Sequence, residues 1–306
     1  MDNAILVSVC VITYNSGKFI QKTLDSIYAQ TYMCLELIIS DDCSTDATIS
    51  LCQQWIEKHK GRFRSTQILA HNKNGGISKN INSAISAAKG EWVKPIAGDD
   101  LLLPNCISDN IEYIKQYDTE GVVCSKIHLF HEEGGNIVLS ERIKPDADSA
   151  RLFEKKAEEQ YLHLMYYCFP SSPSVFYNRN LALSYPFQDV YSFCEDWPQW
   201  IQLTKSGIRL CFLDKETVLY RVDLGSVSHY NEKHFVNSKF HQSVISLFYK
   251  ERYPVLIKID PVTAKREKRE FLAGEIAVKL LGNRVNFFTR CIMFLAKKTL
   301  GIRSIQ

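Results

Sequence analysis

The first hundred residues alternate between buried-strand and amphipathic-helix patterns, and that alternation restricts the possible folds more than any other feature. Residues 6–12 are an unbroken apolar run rich in β-branched side chains, the pattern of a strand covered on both faces. A helical pattern follows over 19–30, with Ile20, Leu24, Ile27 and Tyr28 on one face. Residues 35–40 repeat the apolar run. Ser44 is placed to cap a helix that carries Ile49, Cys52 and Ile56 to about Lys58. Residues 66–70 read as a third strand. Ile77, Ile81, Ala84, Ile85 and Ala88 mark a third helix, which Gly90 is expected to close as a C′ residue. Residues 91–97 read as a fourth strand. Such alternation implies right-handed crossovers and a mostly parallel sheet. Ligands of such sheets sit beyond the carboxyl ends of the strands. Three of those ends are polar here: Thr13-Tyr14-Asn15, Asp41-Asp42 and Asp99-Asp100.

The second half reads differently. A hairpin is expected from 121–130 and 137–143, a helix over 151–167 and a short helix over 195–205. Two strands are expected at 209–213 and 217–222. From about residue 231 the pattern is helical again, with breaks near Pro254 and Pro261 and a separator at Gly282-Asn283. Residues 161–200 hold twelve of the 35 aromatic side chains, an excess that asks for a sugar-facing surface or a local core.

Composition narrows the function classes. With 306 residues, 45% of them hydrophobic, the chain has material for a full core and is not disordered. Its ten cysteines include no Cys-x-x-Cys pair, which fits reduced, mostly buried thiols rather than a zinc ribbon. A net charge of +3 does not point to nucleic acid. Residues 261–306 carry +7, however, leaving −4 for the rest. The opening residues lack the pattern of a signal peptide. The late apolar run 291–296 is too short to span a bilayer. The expectation is a cytoplasmic protein, soluble or lying on a membrane surface.

The polar strand ends supply the candidate chemistry. Asp99-Asp100 repel unless a cation neutralises them. Mg²⁺ bridging to phosphate oxygens needs only one or two protein carboxylates. A solvated turn with Asp99 as a helix cap is the alternative. Asp41-Asp42 reads first as a turn that caps the next helix. Beside a nucleotide, such a carboxylate accepts the imide N–H of uracil, which cytosine lacks, while Tyr14 stacks on a base. The loop Asn72-Lys73-Asn74-Gly75-Gly76 offers backbone amides but is a weak phosphate signal. Glu195-Asp196 precedes Trp197 and Trp200. Desolvation beside indoles raises a carboxyl pKa toward the range of a general base, and indole faces suit sugar rings. The competing reading is a helix start with tryptophans in the core. His229 is a further candidate for the metal or diphosphate. No Gly-x-Gly-x-x-Gly turn or P-loop is present, which removes the dinucleotide oxidoreductase and P-loop readings.

Four stretches taken together resemble glycosyltransferase family 2. They are Val7 through Asn15, Leu37 through Asp46, Gly90 through Pro104 and Glu195 through Leu203, in the family's order and approximate spacing. The resemblance implies an α/β fold of the GT-A type: a Rossmann-like, mixed, mostly parallel sheet flanked by helices. Residues 1–225 would form the catalytic domain, with a nucleotide-binding half at 1–105 and an acceptor-binding half at 106–225. Residues 226–306 would be a basic, mostly helical extension. By position, Thr13, Tyr14, Asn15, Asp42 and Asp99 would bind the nucleotide. Asp99 and Asp100, with His229, would hold Mg²⁺ or Mn²⁺. Asp196 would be the base, with Glu195 as its substitute, and Trp197 and Trp200 would meet the acceptor. Ala97 stands where many members carry another acid, and Cys43 where glycine is usual. The activity implied is inverting, metal-dependent transfer of a hexosyl or N-acetylhexosaminyl group. It runs from a UDP-sugar to a saccharide acceptor on a lipid, in surface-polysaccharide synthesis. A basic tail on the inner face of the cytoplasmic membrane would serve such an acceptor. The rival readings are a sugar nucleotidyltransferase and a non-catalytic sugar-binding protein on the same fold.

Overall fold

Apolar runs bounded by polar turns become strands because helices cover both faces of the sheet they form. In the computed structural model, residues 4–117, 119, 121–191, 193–222 and 238–300 are described. Strands β1 (Val7–Thr13), β2 (Leu35–Asp41), β3 (Thr66–Ala70) and β4 (Trp92–Ala97) pair in the parallel order β3-β2-β1-β4. Every residue of β2 is buried. Helix Ile20–Tyr28 buries Ile20, Leu24 and Ile27 as the periodicity predicts. In helix Thr48–His59 the deep positions are Cys52 and Trp55 rather than Ile49 and Ile56.

Beyond β4 the sheet becomes mixed. It adds β5 (Leu101–Leu102), β6 (Val122–Glu133), β7 (Asn136–Lys144), β8 (Phe176–Asn178) and β9 (Leu210–Arg221). The three-residue β8 runs antiparallel to both β4 and β6, so it joins the two halves. β9 lies parallel to β6 and antiparallel to β5, and β7 forms the predicted hairpin with β6. Among the described residues these nine strands make one sheet. Its core is continuous from Val9, Leu37 and Leu24 to Ile107, Val123, Phe176 and Val218.

Four local expectations are corrected. Gly90 is not a left-handed helix stop. A Cβ there would come within 2.6–2.7 Å of Ser8 and of the Leu6 carbonyl, so close backbone approach demands the glycine. Ser44 does not cap the second helix: Asp46 accepts the Thr48 N–H at 3.0 Å, and Ser44 turns back to Asp41. The segment 151–167 is broken, because Lys155 and Lys156 are extended and helix Ala157–Leu164 starts afresh, with the Lys156 N–H donating to Glu159. Finally, 209–213 and 217–222 belong to one strand, β9, which runs through the polar residues 214–216 with register shifts against β6.

The chain divides into two compact units, Met1–Asp189 with Glu195–Asp223, and Val190–Cys194 with Leu224–Gln306. The second unit contains helices Ser238–Leu247, Tyr253–Ile259, Pro261–Lys279 and Phe287–Leu300, with a π-helical turn at Phe248–Arg252. Asp260 caps the 19-residue helix by accepting the Thr263 N–H at 3.0 Å. Gly282 and Asn283, both at positive φ, separate the last two helices, which meet at Ala273, Ala277 and Met293. All ten cysteines are free. Among the described residues no helix is long and apolar enough to cross a membrane.

Candidate active site

Parallel register brings the polar strand ends level. Thr13 faces Asp41 across β1–β2, and Ile12 faces Ala97 across β1–β4. Chain order reverses at β1, which lies between β2 and β4, so the place where such sheets form their ligand crevice falls between β1 and β4. The loops after β1 and β4 border it.

The loops after β1 and β2 are tied together. Asn15, at φ 51°, accepts the Thr45 N–H at 2.8 Å and donates its own N–H to Ser44 at 2.7 Å. The Gly17 N–H donates to Asp46 at 2.9 Å. Asn15 thus works as a loop staple, while Tyr14 is left exposed. Asp41 and Asp42 are both buried and both fully employed. Asp41 accepts the Ser44 N–H at 2.7 Å and its hydroxyl at 2.5 Å. Asp42 accepts the N–H groups of Gly75 and Gly76 at 2.7 and 2.8 Å. The two amides that the glycine loop offered to a phosphate are therefore spent on Asp42. Above Asp42, the buried Thr13 Oγ1 and Asn80 Oδ1 have no hydrogen-bond partner among the described residues. The Asn80 amide donates to the Thr13 carbonyl at 3.3 Å. Asn80 was not singled out from the sequence; a polar side chain beside Ile81 on an apolar helix face was the available signal.

The second acid pair is arranged oppositely. Asp100 is buried, accepts the Arg221 backbone N–H at 2.9 Å through Oδ1, and leaves Oδ2 buried without a hydrogen-bond partner among the described residues. Burial, followed by the neighbouring Asp99 charge, holds its carboxyl well above the usual range. Asp99 is partly exposed at the crevice. An orphaned buried carboxylate oxygen next to a second carboxylate fits a hard divalent ion that completes its shell with phosphate and water. Among the described residues no three acid, histidine or cysteine side chains cluster as a metal cage. His229 lies outside the described residues. Arg221, also unanticipated, closes the site from β9. Its Nε donates to the Asp99 carbonyl at 2.9 Å, and its Nη2 meets Glu132 at 2.8 Å.

Helix Asp196–Lys205 starts with the third pair. Glu195 and Asp196 are partly exposed. Burial, then the Asp196 charge, pushes Glu195 up to about 7. Burial also raises Asp196, against the N–H of Trp197 that it accepts at 2.8 Å. The direction expected from the sequence is therefore present. The tryptophans divide. Trp197 is partly exposed and donates to the Leu164 carbonyl at 2.8 Å. Trp200 is fully buried, stacked on Tyr177 at 6.1 Å, so it belongs to the core and offers no face to an acceptor. Phe169, Phe176, Phe187 and Tyr191 are buried too, which accounts for much of the aromatic excess at 161–200. Tyr220 on β9 links the pairs: after burial, the charges of Asp100, Asp99, Asp196 and Glu195 together push its hydroxyl to about 12.

Comparison with known proteins bears on the family and the fold. The profile described as "Glycosyl transferase family 2" matches residues 8–173. The Escherichia coli protein WfaP, a UDP-Glc:alpha-D-GlcNAc-diphosphoundecaprenol beta-1,3-glucosyltransferase, is 27% identical over 80% of this chain and 92% of its own. Streptococcus pneumoniae glycosyltransferase GlyG is 30% identical over 43% of this chain, which spans only 42% of GlyG. Among solved structures, S. aureus TarS 1–349 in complex with UDP-GlcNAc superposes with a TM-score of 0.58 at 20% identity, covering 97% of this chain and 80% of that one. The Pyrobaculum calidifontis mannosyltransferase PcManGT, in complex with GDP-Man and Mn²⁺, gives 0.59 at 16%, covering 99% and 82%. The sheet with its flanking helices and C-terminal helical region is the GT-A fold of these proteins.

Proposed function

Because the chain belongs to glycosyltransferase family 2, we propose that it moves a hexosyl or N-acetylhexosaminyl group from a UDP-sugar to a saccharide on a lipid diphosphate, inverting the anomeric centre in one displacement. Tyr14, Thr13 and Asn80 face the nucleotide from the crevice between β1 and β4, and Asp42 acts by holding the glycine loop. Asp99 and Asp100 hold a divalent ion, Mg²⁺ or Mn²⁺, which supplies charge neutralisation to the departing diphosphate. Asp196 takes the proton from the acceptor hydroxyl as its oxygen attacks the anomeric carbon. Trp197 lies beside that acceptor. General-base help of this kind is worth about 10²–10⁴-fold.

The observation that carries this reading is that one unit holds two acid pairs with carboxyl groups raised by burial, and that both pairs act electrostatically on Tyr220. One pair has an orphaned buried oxygen suited to a cation, and the other has carboxyl groups raised toward the range of a base. A lone metal pair would serve a nucleotidyltransferase equally well. The second pair favours transfer to a hydroxyl. Incubation with a panel of nucleotide sugars, Mn²⁺ and a lipid-diphosphate saccharide tests it. A glycosylated lipid formed from a UDP-sugar supports the proposal. Diphosphate release from UTP and a sugar 1-phosphate, without glycolipid, would make the protein a nucleotidyltransferase.

The second unit supports docking to an anionic membrane face. Its last helix exposes Phe287, Phe288, Phe294 and Leu295, with Arg290 among them. In helix Pro261–Lys279, Lys265, Lys268, Arg269 and Leu272 line a cavity of about 320 Å³ with Tyr253. Each basic side chain near an anionic surface contributes about 1 kcal/mol, and the apolar side chains add to it. Sedimentation with anionic vesicles should fade as salt rises. Equal sedimentation with neutral vesicles would return the helices to a packing role.

A further inference from the structure

Arg221 carries no role in the reading above, yet it contacts both Asp99 and Asp100. It is buried at the end of β9. One residue grips both acids: its backbone N–H donates to the Asp100 carboxylate and its Nε to the Asp99 carbonyl, each at 2.9 Å. The guanidinium lies between two phenyl rings, 4.2 Å from the centroid of Phe19 and 4.6 Å from that of Phe130. Its charge is met by Glu132 on β6, whose other oxygen accepts from Lys22 at 2.8 Å. Phe19 and Lys22 stand at the start of the helix that follows the β1 loop. The chain of contacts therefore runs from the nucleotide side of the crevice to the acid pair.

A buried guanidinium is a costly way to fill space. An apolar side chain of similar volume is often as stable or more so. What a guanidinium adds is direction. It is planar, and its donors have fixed angles that a lysine cannot reproduce. Here those angles fix the backbone of Asp99 through its carbonyl, while the same residue's amide fixes the Asp100 carboxylate. The two carboxylates repel, and without such a brace the loop would relax by turning them apart.

We propose that Arg221 is the positioning residue of the divalent-ion site, bracing Asp99 and Asp100 in a geometry that one ion and a diphosphate can share. This rests on the metal-dependent reading of the acid pair. In this role Arg221 acts through the two acids. Glu132 and the two phenyl rings hold it in place.

The test compares full-length wild type, Arg221→Lys and Glu132→Gln. Arg221→Lys keeps the charge and the backbone amide but loses the Nε bond to the Asp99 carbonyl and the Nη2 bond to Glu132. Mn²⁺ binding to the UDP complex, followed by electron paramagnetic resonance of the free ion, should weaken about tenfold, the loss expected of one charge-assisted hydrogen bond. UDP binding without metal should be unchanged. Hydrogen exchange in metal-free protein should quicken at 97–102 and stay unchanged at 35–41, which a general loss of stability would not produce. Glu132→Gln should weaken Mn²⁺ binding in the same direction by less, and it stands as the test if the lysine variant fails to fold. Wild-type Mn²⁺ affinity in a folded Arg221→Lys, or in Glu132→Gln where the lysine variant does not fold, overturns the proposal. Absence of Mn²⁺ binding by the wild-type UDP complex would instead overturn the metal reading beneath it.

Discussion

Two Asp-Asp pairs stand at the same edge of the same sheet, and they are used in opposite ways. Asp41-Asp42, at the end of β2, receives four donors: the Ser44 amide and hydroxyl, and the amides of Gly75 and Gly76. Asp99-Asp100, after β4, is left with a buried oxygen that nothing in the described structure satisfies. The first pair therefore holds loops in place, and the second keeps an electrostatic demand that the proposed ion would meet. Glu195-Asp196 follows the second pattern, with both carboxyl groups raised by burial.

The largest effect should fall on the helix-start pair. Asp196→Asn removes a base while keeping an acceptor for the Trp197 amide. Transfer should drop about 10²–10⁴-fold with donor binding retained. A mild Asp196→Asn beside a crippled Glu195→Gln would exchange the two roles. The pH profile sharpens the assignment. With Asp196 as the base, its carboxylate is the charge that, after burial, helps push Glu195 up to about 7. The acid limb of kcat/KM should therefore lie below 7 and persist in Glu195→Gln. An inflection near 7 that vanishes in that variant would make Glu195 the base. Folding gains from Glu195 holding its proton, since its folded pKa lies above the unfolded one. That part of the stability is present at low pH and is lost as pH rises from about 4.5 to about 7.

A smaller effect, on stability, should mark the satisfied pair. Asp42→Ala leaves the Gly75 and Gly76 amides without their acceptor and should cost about 1–3 kcal/mol in denaturant unfolding. An unchanged midpoint would mean that the glycine loop does not depend on Asp42. The smallest effect concerns Cys43, between the two stapled loops, which adopts φ 67°. Glycine carries no Cβ penalty there, so Cys43→Gly should stabilise the fold by about 0.4–1 kcal/mol or less. Destabilisation would show that the thiol makes a contact worth more than the strain.

The first half of the chain was legible because β1, β2 and β4 are apolar, buried runs, each followed by a visible break, while the two-residue β5 left no pattern. The strand-end positions of Asp41-Asp42 and Asp99-Asp100 followed from that spacing. What stayed hidden was set by partners far along the sequence. β8 is three residues long and owes its place to pairing with β4 and β6, so it leaves no periodic trace. Gly90 is required by Ser8 and Leu6, more than eighty residues away, not by its own helix. Trp200 looked like a sugar platform because aromatic residue type alone does not separate a core ring from an exposed one. Arg221 had a faint signal, a single charge closing the apolar stretch from Val218 to Tyr220. Its contacts with Asp99, Glu132 and Phe19 needed the fold.

The contrast between the pairs rests most directly on Asp100, and one thermal-unfolding experiment addresses it. Wild type and Asp100→Asn are compared without ligand and with UDP plus Mn²⁺. The amide oxygen still accepts the Arg221 N–H, and a buried charge is gone, so the ligand-free midpoint should stay level or rise. The extra stabilisation that Mn²⁺ adds to UDP should disappear. A lower ligand-free midpoint with the Mn²⁺ effect intact would make Asp100 a loop-holding residue like Asp42 and contradict the distinction between the two pairs.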